Sequence, residues 1–377
     1  MLLPDDLSRE VYCVLGMPVD AIDMAAALRR IEAAAAGTQP FWISTPNLNF
    51  LANSLSDPDF RESLLLSDLC TADGMPILWI ARLLGIPIKE RLPGSGIFEE
   101  LCAANLSRNP LTVFLFGGSE GAADSACRAL NSEPGALKCV GSTYPGYGGL
   151  DDLSSEETIE AINSSDAQFL TVALGATKGQ AWLRRNHDRL HIPVRAHLGA
   201  AINFRAGTVR RAPRTVQKLG LEWLWRIKEE PRLWRRYWID GCTLLRLLFT
   251  RVLPLAIRTR WDRRRGAHRQ QDLRIKISQD QRSVIVGLGG DAVERHIDSA
   301  IARFRVVLAM TRELILVDMS EVSAIDPRFL GLALMMRKCV ERRGKRLKFV
   351  GVSPSMQRWF RLNEVAFLLS TEGTAPC

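Results

Sequence analysis

The sequence has no pair of cysteines in the C-x-x-C spacing. Its eight cysteines are scattered along the chain, whereas redox motifs and zinc sites bring two cysteines close together. This distribution fits a reduced cytosolic protein better than a disulfide framework. We therefore expect unpaired thiols.

Long apolar runs are absent as well. No uncharged apolar stretch reaches the roughly 18 residues that a membrane-spanning helix needs. The chain opens with MLLPDDLSREVYCVLG, which has acidic residues and a proline where a secretory signal has a basic start and an apolar core. The sequence thus predicts a protein that is neither secreted nor membrane-spanning.

Positive charge is concentrated in one segment. The 377-residue chain has a net charge of +9, and residues 205–265 hold 17 Lys/Arg and 5 Asp/Glu, a net of +12 that leaves the remainder at −3. Five of the nine tryptophans lie between Trp223 and Trp261. Arginine interleaved with tryptophan favours an anionic membrane surface as partner. An alternative interpretation is that these helices dock on the rest of the protein. Nucleic acid is disfavoured as the partner because no known binding motif is present.

The stretch 45–96 organises the N-terminal half of the chain. A short apolar run at 41–43 predicts a buried strand, which T-P-N ends because proline restricts the residue before it. A second apolar segment ends in an Asp-Gly corner. The two strand ends should place Thr45, Asn47 and Asp73 at one rim of a sheet, where open α/β sheets bind ligands. Taken singly, Asp-Gly is a common turn and Asn47 a common helix cap.

Glycines follow a further predicted strand at 111–116. Gly117 and Gly118 open a turn before a helix, an arrangement that favours a diphosphate, and small residues around Gly94 let backbone N–H groups approach a phosphate. The next strand, 137–140, ends without the acidic residue expected for a nicotinamide cofactor. The fold class is therefore α/β, and a dinucleotide oxidoreductase is disfavoured.

Several short motifs follow one another between residues 8 and 240. They are T-P-N, D-P-x-F, A-D-G and E-R-L-P-G-S-G, then F-L-F-G-G, L-G, R-A-P, L-E-W, E-P and R-Y. This series resembles the WecG/TagA/CpsF glycosyltransferases, bacterial enzymes that extend polyprenyl-linked glycans from nucleotide-sugar donors. The resemblance implies a Rossmann-like catalytic domain and a hexosyltransferase.

The resemblance also implies roles for individual residues in an inverting, metal-independent transfer. Asp73 would be the general base, Thr45 and Asn47 would hold a sugar, and Arg91 would add positive charge. The donor would be a nucleotide sugar, UDP-linked, and the acceptor a polyprenyl-diphosphate-linked glycan of exopolysaccharide or cell-surface synthesis. Arginines of the basic segment would neutralise the departing nucleotide diphosphate. The other predicted substrate-binding residues are Gly94, Gly117, Gly118, Gln180, Arg210, Arg211, Arg214, Arg232, Arg235 and Arg236.

Two places depart from the family pattern. Gly96 stands where the family usually has aspartate. At 175–180 the family has Gly-x-Pro-x-Gln-Glu, whose glutamine meets the donor, and here Gly179 takes the place of that glutamine. We expect the adjacent Gln180 to substitute for it. These departures keep an alternative open, a catalytically silent binding or regulatory protein.

Three histidines, His187, His191 and His197, lie close together in sequence. The spacing lacks a carboxylate partner, and Pro193 interrupts any single helix that would carry all three. We therefore predict no metal site, and no cofactor other than the nucleotide sugar, which is a substrate.

A second domain is predicted at 273–372. Its predicted strands and helices alternate, and it contains the segments V-D-M-S-E-V-S-A-I-D and L-K-F-V-G-V-S-P. Together these features resemble a STAS domain, as in anti-sigma-factor antagonists. Those domains carry a phosphorylatable serine just after the aspartate at Asp326, where this chain has Pro327 and Arg328. We predict a module that docks on a partner protein without a phosphoserine switch.

The predicted organisation has four parts. They are a Rossmann-like glycosyltransferase domain at 1–205, a basic, tryptophan-rich helical appendage at 206–265, a linker at 266–272 and the STAS-like domain at 273–372. The expected location is cytoplasmic, peripheral to the inner face of the cell membrane.

Overall fold

The computed structural model describes residues 5–103, 110–132, 135–218, 220–265 and 271–369. Its strands are β1 (Val11–Val14), β2 (Met17–Asp20), β3 (Phe41–Ser44), β4 (Leu69–Cys70), β5 (Leu111–Gly117), β6 (Leu137–Thr143), β7 (Phe169–Ala173), β8 (Val194–His197), β9 (Arg274–Gln279), β10 (Ser283–Ala292), β11 (Leu314–Ile325) and β12 (Arg346–Val350).

Helices connect most of these strands. They are α1 (Met24–Ala35), α2 (Leu48–Ser56), α3 (Pro58–Leu66), α4 (Met75–Leu84), α5 (Gly94–Ala103), α6 (Ala122–Ser132), α7 (Glu156–Asn163), α8 (Ala176–Arg185), α9 (Ala201–Arg205), α10 (Arg214–Lys218), α11 (Glu222–Glu229), α12 (Trp234–Leu247), α13 (Leu253–Arg265), α14 (Ile297–Ala309), α15 (Pro327–Glu341) and α16 (Pro354–Leu362).

Two compact units divide the described chain. The first contains Ile22–Leu78 and Lys89–Leu244, and the second contains the described parts of Pro4–Ala21, Trp79–Ile88 and Leu245–Cys377. This division differs from the predicted domains, because the N-terminal segment groups with the C-terminal unit and the basic segment is divided after Leu244.

The first unit is built on a six-stranded parallel sheet in the order β4-β3-β8-β7-β5-β6. Strands β3 and β7 are buried at every position, as expected for parallel strands covered on both faces. One apolar core contains Ile31, Leu101 and Ala126, and the other contains Trp42, Phe116 and Trp182. The predicted α/β, Rossmann-like fold class is confirmed.

Two cysteines of the first unit are paired. Cys127 on α6 and Cys139 on β6 form a disulfide with a Cα–Cα distance of 5.3 Å. The prediction of unpaired thiols is wrong for this pair, because α6 packs along β6. Asn131 supports the same approach, since its side chain bonds both the N–H and the carbonyl of Cys139 at 2.9 Å.

The basic segment forms helices α10 to α13. A π-helical turn at Leu248–Val252 separates α12 from α13 and directly precedes Pro254, the second residue of α13, so the irregular hydrogen bonding occurs where proline lacks an N–H. Trp234 and Trp238 are 53% and 70% exposed. No helix among the described residues combines the length and the apolar character needed to cross a membrane.

The second unit contains a four-stranded sheet in the order β12-β11-β10-β9, with β9 antiparallel to β10 and the other pairs parallel. Its alternation of strands and helices follows the sequence prediction. Asp326 caps α15 by accepting from the Phe329 N–H at 2.8 Å, and Pro327 follows at the first helical position. Both features were expected from the Asp-Pro pair.

An N-terminal hairpin, β1–β2, packs on α15 within the second unit. Its turn has positive φ at Leu15 and Gly16, and its strands are buried at every position. Arg328, only 5% exposed, donates to the carbonyls of Val11 at 3.0 Å and Arg9 at 3.1 Å. The residue that follows Pro327 therefore holds the chain's own N-terminal segment.

Candidate active site

The ends of β3 and β4 bring Thr45, Asn47 and Asp73 to the carboxyl rim of the first unit's sheet. The strands pair in parallel, and beyond them the Asp73 N–H donates to the Pro46 carbonyl at 2.8 Å. Asn47 caps α2 by accepting from the Phe50 N–H at 3.1 Å. The juxtaposition predicted from the two strand ends is thus present.

The loop that ends in α5 closes one side of this rim. Its backbone follows β4, since the Leu92 N–H donates to the Ala72 carbonyl at 2.8 Å. A Cβ on Gly94 would lie 3.2 Å from Thr45 Oγ1, so glycine permits the close approach of this loop. The same loop carries Arg91 toward Asp73.

Burial changes the acidity of Asp73. The side chain is enclosed by protein but keeps part of its surface open to solvent. Burial raises its pKa to about 6, Arg91 lowers it, Glu222 raises it, and the Gly94 N–H and Arg211 lower it. Such a carboxyl group is mostly ionised at pH 7 and can still accept a proton, which suits a general base.

Two carboxylates pair with the arginines around Asp73. Arg91 Nη1 lies 2.7 Å from Glu222 Oε2, and both side chains are 16% exposed. Arg211 forms an ion pair with Glu99 of α5. Because Glu222 and Arg211 belong to the basic segment, this segment contributes charged groups to the rim.

A family model confirms what these motifs suggested. The glycosyl transferase WecG/TagA/CpsF family model matches residues 12–258, which is more than half of the chain. The chain belongs to this family. It is therefore a glycosyltransferase, with Thr45, Asn47, Asp73 and Arg91 gathered at the rim of its sheet.

Individual relatives point the same way. The chain is 23% identical over 215 residues to an N-acetylglucosaminyldiphosphoundecaprenol N-acetyl-beta-D-mannosaminyltransferase of Staphylococcus aureus strain NCTC 8325 / PS 47, covering 56% of this chain and 82% of that protein. The enzyme of the same name from strain COL matches to the same extent.

Among solved structures, the chain is similar to two anti-sigma-factor antagonist structures. Unphosphorylated SpoIIAA is 19% identical, with a TM-score of 0.21 and coverage of 23% of this chain and 82% of that one. A Rhodobacter sphaeroides STAS domain is 18% identical, with a TM-score of 0.18 and coverage of 26% and 95%.

The remaining predicted arginines of the glycosyltransferase lie in different surroundings. Arg210, Arg232, Arg235 and Arg236 are exposed, and the side chain of Arg214 lies outside the described residues. Arg235 lies over the Trp234 ring at 5.6 Å and Arg236 over the Tyr237 ring at 4.8 Å. Among the predicted arginines of the basic segment whose side chains are described, Arg211 lowers the pKa of Asp73. Their contacts with a nucleotide diphosphate stay predictions.

In the glycine turn after β5, the N–H groups of Gly118 and Ser119 donate hydrogen bonds to other parts of the protein. Gly118 donates to the Ala173 carbonyl at 2.8 Å, and Ser119 donates to Asn203 Oδ1 at 3.2 Å. Gly117 and Gly118 both have positive φ, and a Cβ on Gly117 would lie 2.6 Å from the Ala173 carbonyl oxygen. Close packing against the end of β7 accounts for Gly117, and the approach of Ile202 and Asn203 of α9 to 3.2 Å from a Cβ on Gly118 accounts for that glycine. The predicted diphosphate contact stays a prediction.

Gln180 lies beneath the protein surface, against the last residue of β3. It is fully buried, and its Nε2 donates to Ser44 Oγ at 3.0 Å. The substitution of Gln180 for the family's glutamine stays a prediction. A Cβ on Gly179 would overlap the imidazole of His197, which fills that space. Burial lowers the His197 pKa to about 4, so the ring is neutral.

Metal ligands are not grouped among the residues that the structure describes. No cluster of three or more His, Cys, Asp or Glu side chains is placed to hold an ion there. The predicted metal independence remains a prediction.

Glu222 is the site residue to which sequence reasoning assigned no role. It stands in the L-E-W motif, inside a segment in which basic residues greatly outnumber acidic ones. Because cationic side chains outnumber carboxylates in this segment, Glu222 is expected to form an ion pair. This excess of basic residues was the sequence feature that could have identified Glu222.

Proposed function

We propose that this chain transfers a sugar, with inversion, from a UDP-linked nucleotide sugar to an acceptor bound to polyprenyl diphosphate. The product would enter exopolysaccharide or another cell-surface glycan. The observation that carries this proposal is the Asp73 carboxyl group beside Arg91 at the carboxyl rim, with its pKa raised to about 6. The names of the Staphylococcus relatives support an acceptor of the diphosphoundecaprenol class.

In the proposed reaction Asp73 removes the proton from an acceptor hydroxyl. The hydroxyl oxygen attacks the anomeric carbon of the donor from the face opposite the nucleotide, and the bond to the diphosphate breaks. The bonding electron pair leaves with the nucleotide diphosphate, and the anomeric configuration inverts. Asp73 then releases its proton to solvent.

Positive side chains would stabilise the departing diphosphate without a divalent cation. Arg91 and Arg211 already lie near the base, and both would exchange their carboxylate partners for phosphate oxygens. The exposed arginines Arg232, Arg235 and Arg236 would add to this positive field. Thr45 and Asn47 would orient the reacting sugar.

The basic segment would also hold the enzyme at an anionic membrane, where a lipid-linked acceptor is met. Trp234 and Trp238 are exposed beside Arg232 and Arg235, a combination suited to the headgroup boundary. Each basic side chain near such a surface contributes about 1 kcal/mol. We expect Trp238→Ala to weaken binding to anionic vesicles several-fold, with weaker binding at high salt.

A matched control exists for this vesicle experiment. Tyr147 is 95% exposed and lies outside the basic segment, so Tyr147→Ala should bind vesicles as the parent does. Equal loss in both variants, or undiminished binding by Trp238→Ala, would place the membrane contact elsewhere.

One observation favours the alternative of a catalytically silent protein. Gly179 stands in place of the family's donor-contacting glutamine, and the neighbouring Gln180 is fully buried. The alternative function would be partner recruitment through the STAS-like domain. A transfer assay with a panel of UDP sugars separates the two functions.

The assay uses a polyprenyl-diphosphate-linked N-acetylglucosamine acceptor and a panel of UDP sugars. Transfer should occur with at least one donor, and Asp73→Asn should reduce it by about 10²–10⁴-fold. Asp59→Asn, which changes an exposed carboxylate of the same unit, should retain activity. Full activity of Asp73→Asn would remove Asp73 from the mechanism, and absence of transfer with every donor would favour the silent protein.

A further inference from the structure

The ion pair between Arg91 and Glu222 joins the loop before α5 to the first residue of α11. Glu222 opens α11, where the helix dipole favours a carboxylate. Both side chains are largely enclosed, and the pair distance is 2.7 Å. Solvent therefore screens this pair less than it screens a surface salt bridge.

Three charged groups face Asp73 from three separate elements. Arg91 comes from the loop before α5, Glu222 from α11, and Arg211 from the segment before α10. The backbone N–H of Gly94 faces the carboxylate as well. Arg211 is itself paired with Glu99. Each cation near the base thus has a carboxylate partner other than the base.

We propose that Glu222 is a positioning residue that holds the Arg91 guanidinium and prevents it from forming a direct ion pair with Asp73. This inference rests on the proposed role of Asp73 as general base. A carboxylate in a close pair with arginine binds a proton weakly, because protonation would leave the guanidinium without its partner. By engaging Arg91, Glu222 keeps Asp73 basic enough to accept the hydroxyl proton.

The charges around Asp73 agree with separate roles for Arg91 and Asp73. Glu222 raises the pKa of Asp73, in the direction opposite to Arg91. When an anionic donor arrives, Arg91 can turn from Glu222 to the diphosphate without passing through a pair with the base. The cation then serves the leaving group, and the carboxylate serves the acceptor.

The test is the pH dependence of transfer in Glu222→Gln, which keeps the side chain's size and removes its charge. Activity should rise with pH through a limb near the pKa of Asp73, and Glu222→Gln should move that limb to lower pH by roughly one unit. The plateau kcat should fall about threefold to tenfold, because the base becomes weaker. Glu222→Asp should restore part of both changes.

Glu230→Gln is the matched control. Glu230 forms an ion pair with Arg226 at 2.5 Å in the same segment, and it is not among the groups that act on Asp73. Its pH limb should coincide with that of the parent. If Glu222→Gln lowers thermal stability while its pH limb also coincides with the parent's, Glu222 only fastens α11 and the proposal is overturned.

A second measurement does not depend on activity. Asp73→Asn should raise the Tm by several degrees at pH 7 in the parent, and by less than half as much in the presence of Glu222→Gln, because Asp73 would already be stabilised by Arg91. Equal increases in both backgrounds would overturn the positioning role. Absence of transfer with all donors would instead overturn the proposed function and leave this comparison valid.

Discussion

Asp73→Asn should make the protein more stable while it removes the catalytic base. Burial raises the pKa of Asp73 from 3.8 to about 6, so keeping this carboxylate ionised costs free energy in the folded state. One pKa unit corresponds to about 1.4 kcal/mol, which sets an upper limit of about 3 kcal/mol at neutral pH. Because the side chain keeps some solvent contact, we expect about 1–2 kcal/mol.

The sign of this effect depends on pH in a definite way. Below pH 3.8 Asp73 is protonated in both folded and unfolded protein, and Asn and Asp are then equivalent. As pH rises from 3.8 to about 6 the unfolded chain loses its proton first, so the parent loses stability relative to Asp73→Asn. Above about pH 6 the difference is constant.

Thermal unfolding of the two proteins between pH 4 and pH 8 measures this difference. For a unit of this size about 1–2 kcal/mol corresponds to a rise in Tm of roughly 2–8 °C at pH 7, shrinking toward zero at pH 4. Asp59→Asn alters an exposed ion pair with Arg184 and should change the Tm by little. A lower Tm for Asp73→Asn, or a rise that does not depend on pH, would refute the raised pKa of the Asp73 carboxyl group.

Three further predictions concern glycine, cysteine and the rim. Gly331→Ala would push its Cβ into the Val11 carbonyl and should speed hydrogen exchange across 11–20, whereas Gly241→Ala, a helix glycine with open space, should leave that exchange unchanged. Cys127→Ser should lower the unfolding free energy by about 3 kcal/mol, judged by denaturant titration, and reductant should then have no additional effect. Gly94→Ala crowds Thr45 Oγ1 and should raise the KM for a sugar substrate several-fold; an unchanged KM would remove Thr45 from sugar binding.

The sheet and the assembly of the rim were accessible from sequence. Buried parallel strands appear as short apolar runs, and polar residues just beyond them must meet at one edge because the strands share a direction. Thr45, Asn47 and Asp73 follow that rule directly. The Asp-Pro pair at 326–327 likewise predicts a capped helix from local chemistry alone.

Contacts between residues distant in sequence were not accessible in the same way. Gln180 is buried with its Nε2 on Ser44 Oγ, a contact between α8 and the end of β3 that no local pattern reveals. The pairing of Cys127 with Cys139 depends on how α6 packs against β6. The resemblance to STAS domains predicts the missing serine, but it does not predict that Arg328 donates to the carbonyls of Val11 and Arg9.

The packing of β1–β2 on α15 has a consequence for biosynthesis. The hairpin leaves the ribosome before its partner helix, which is made about 310 residues later, a delay of roughly 15–60 s at 5–20 residues per second. During that interval its wholly buried strands lack their partner and present apolar surface to the cell. Production of this protein should therefore depend on chaperones that bind nascent chains, and slow translation should lower its yield.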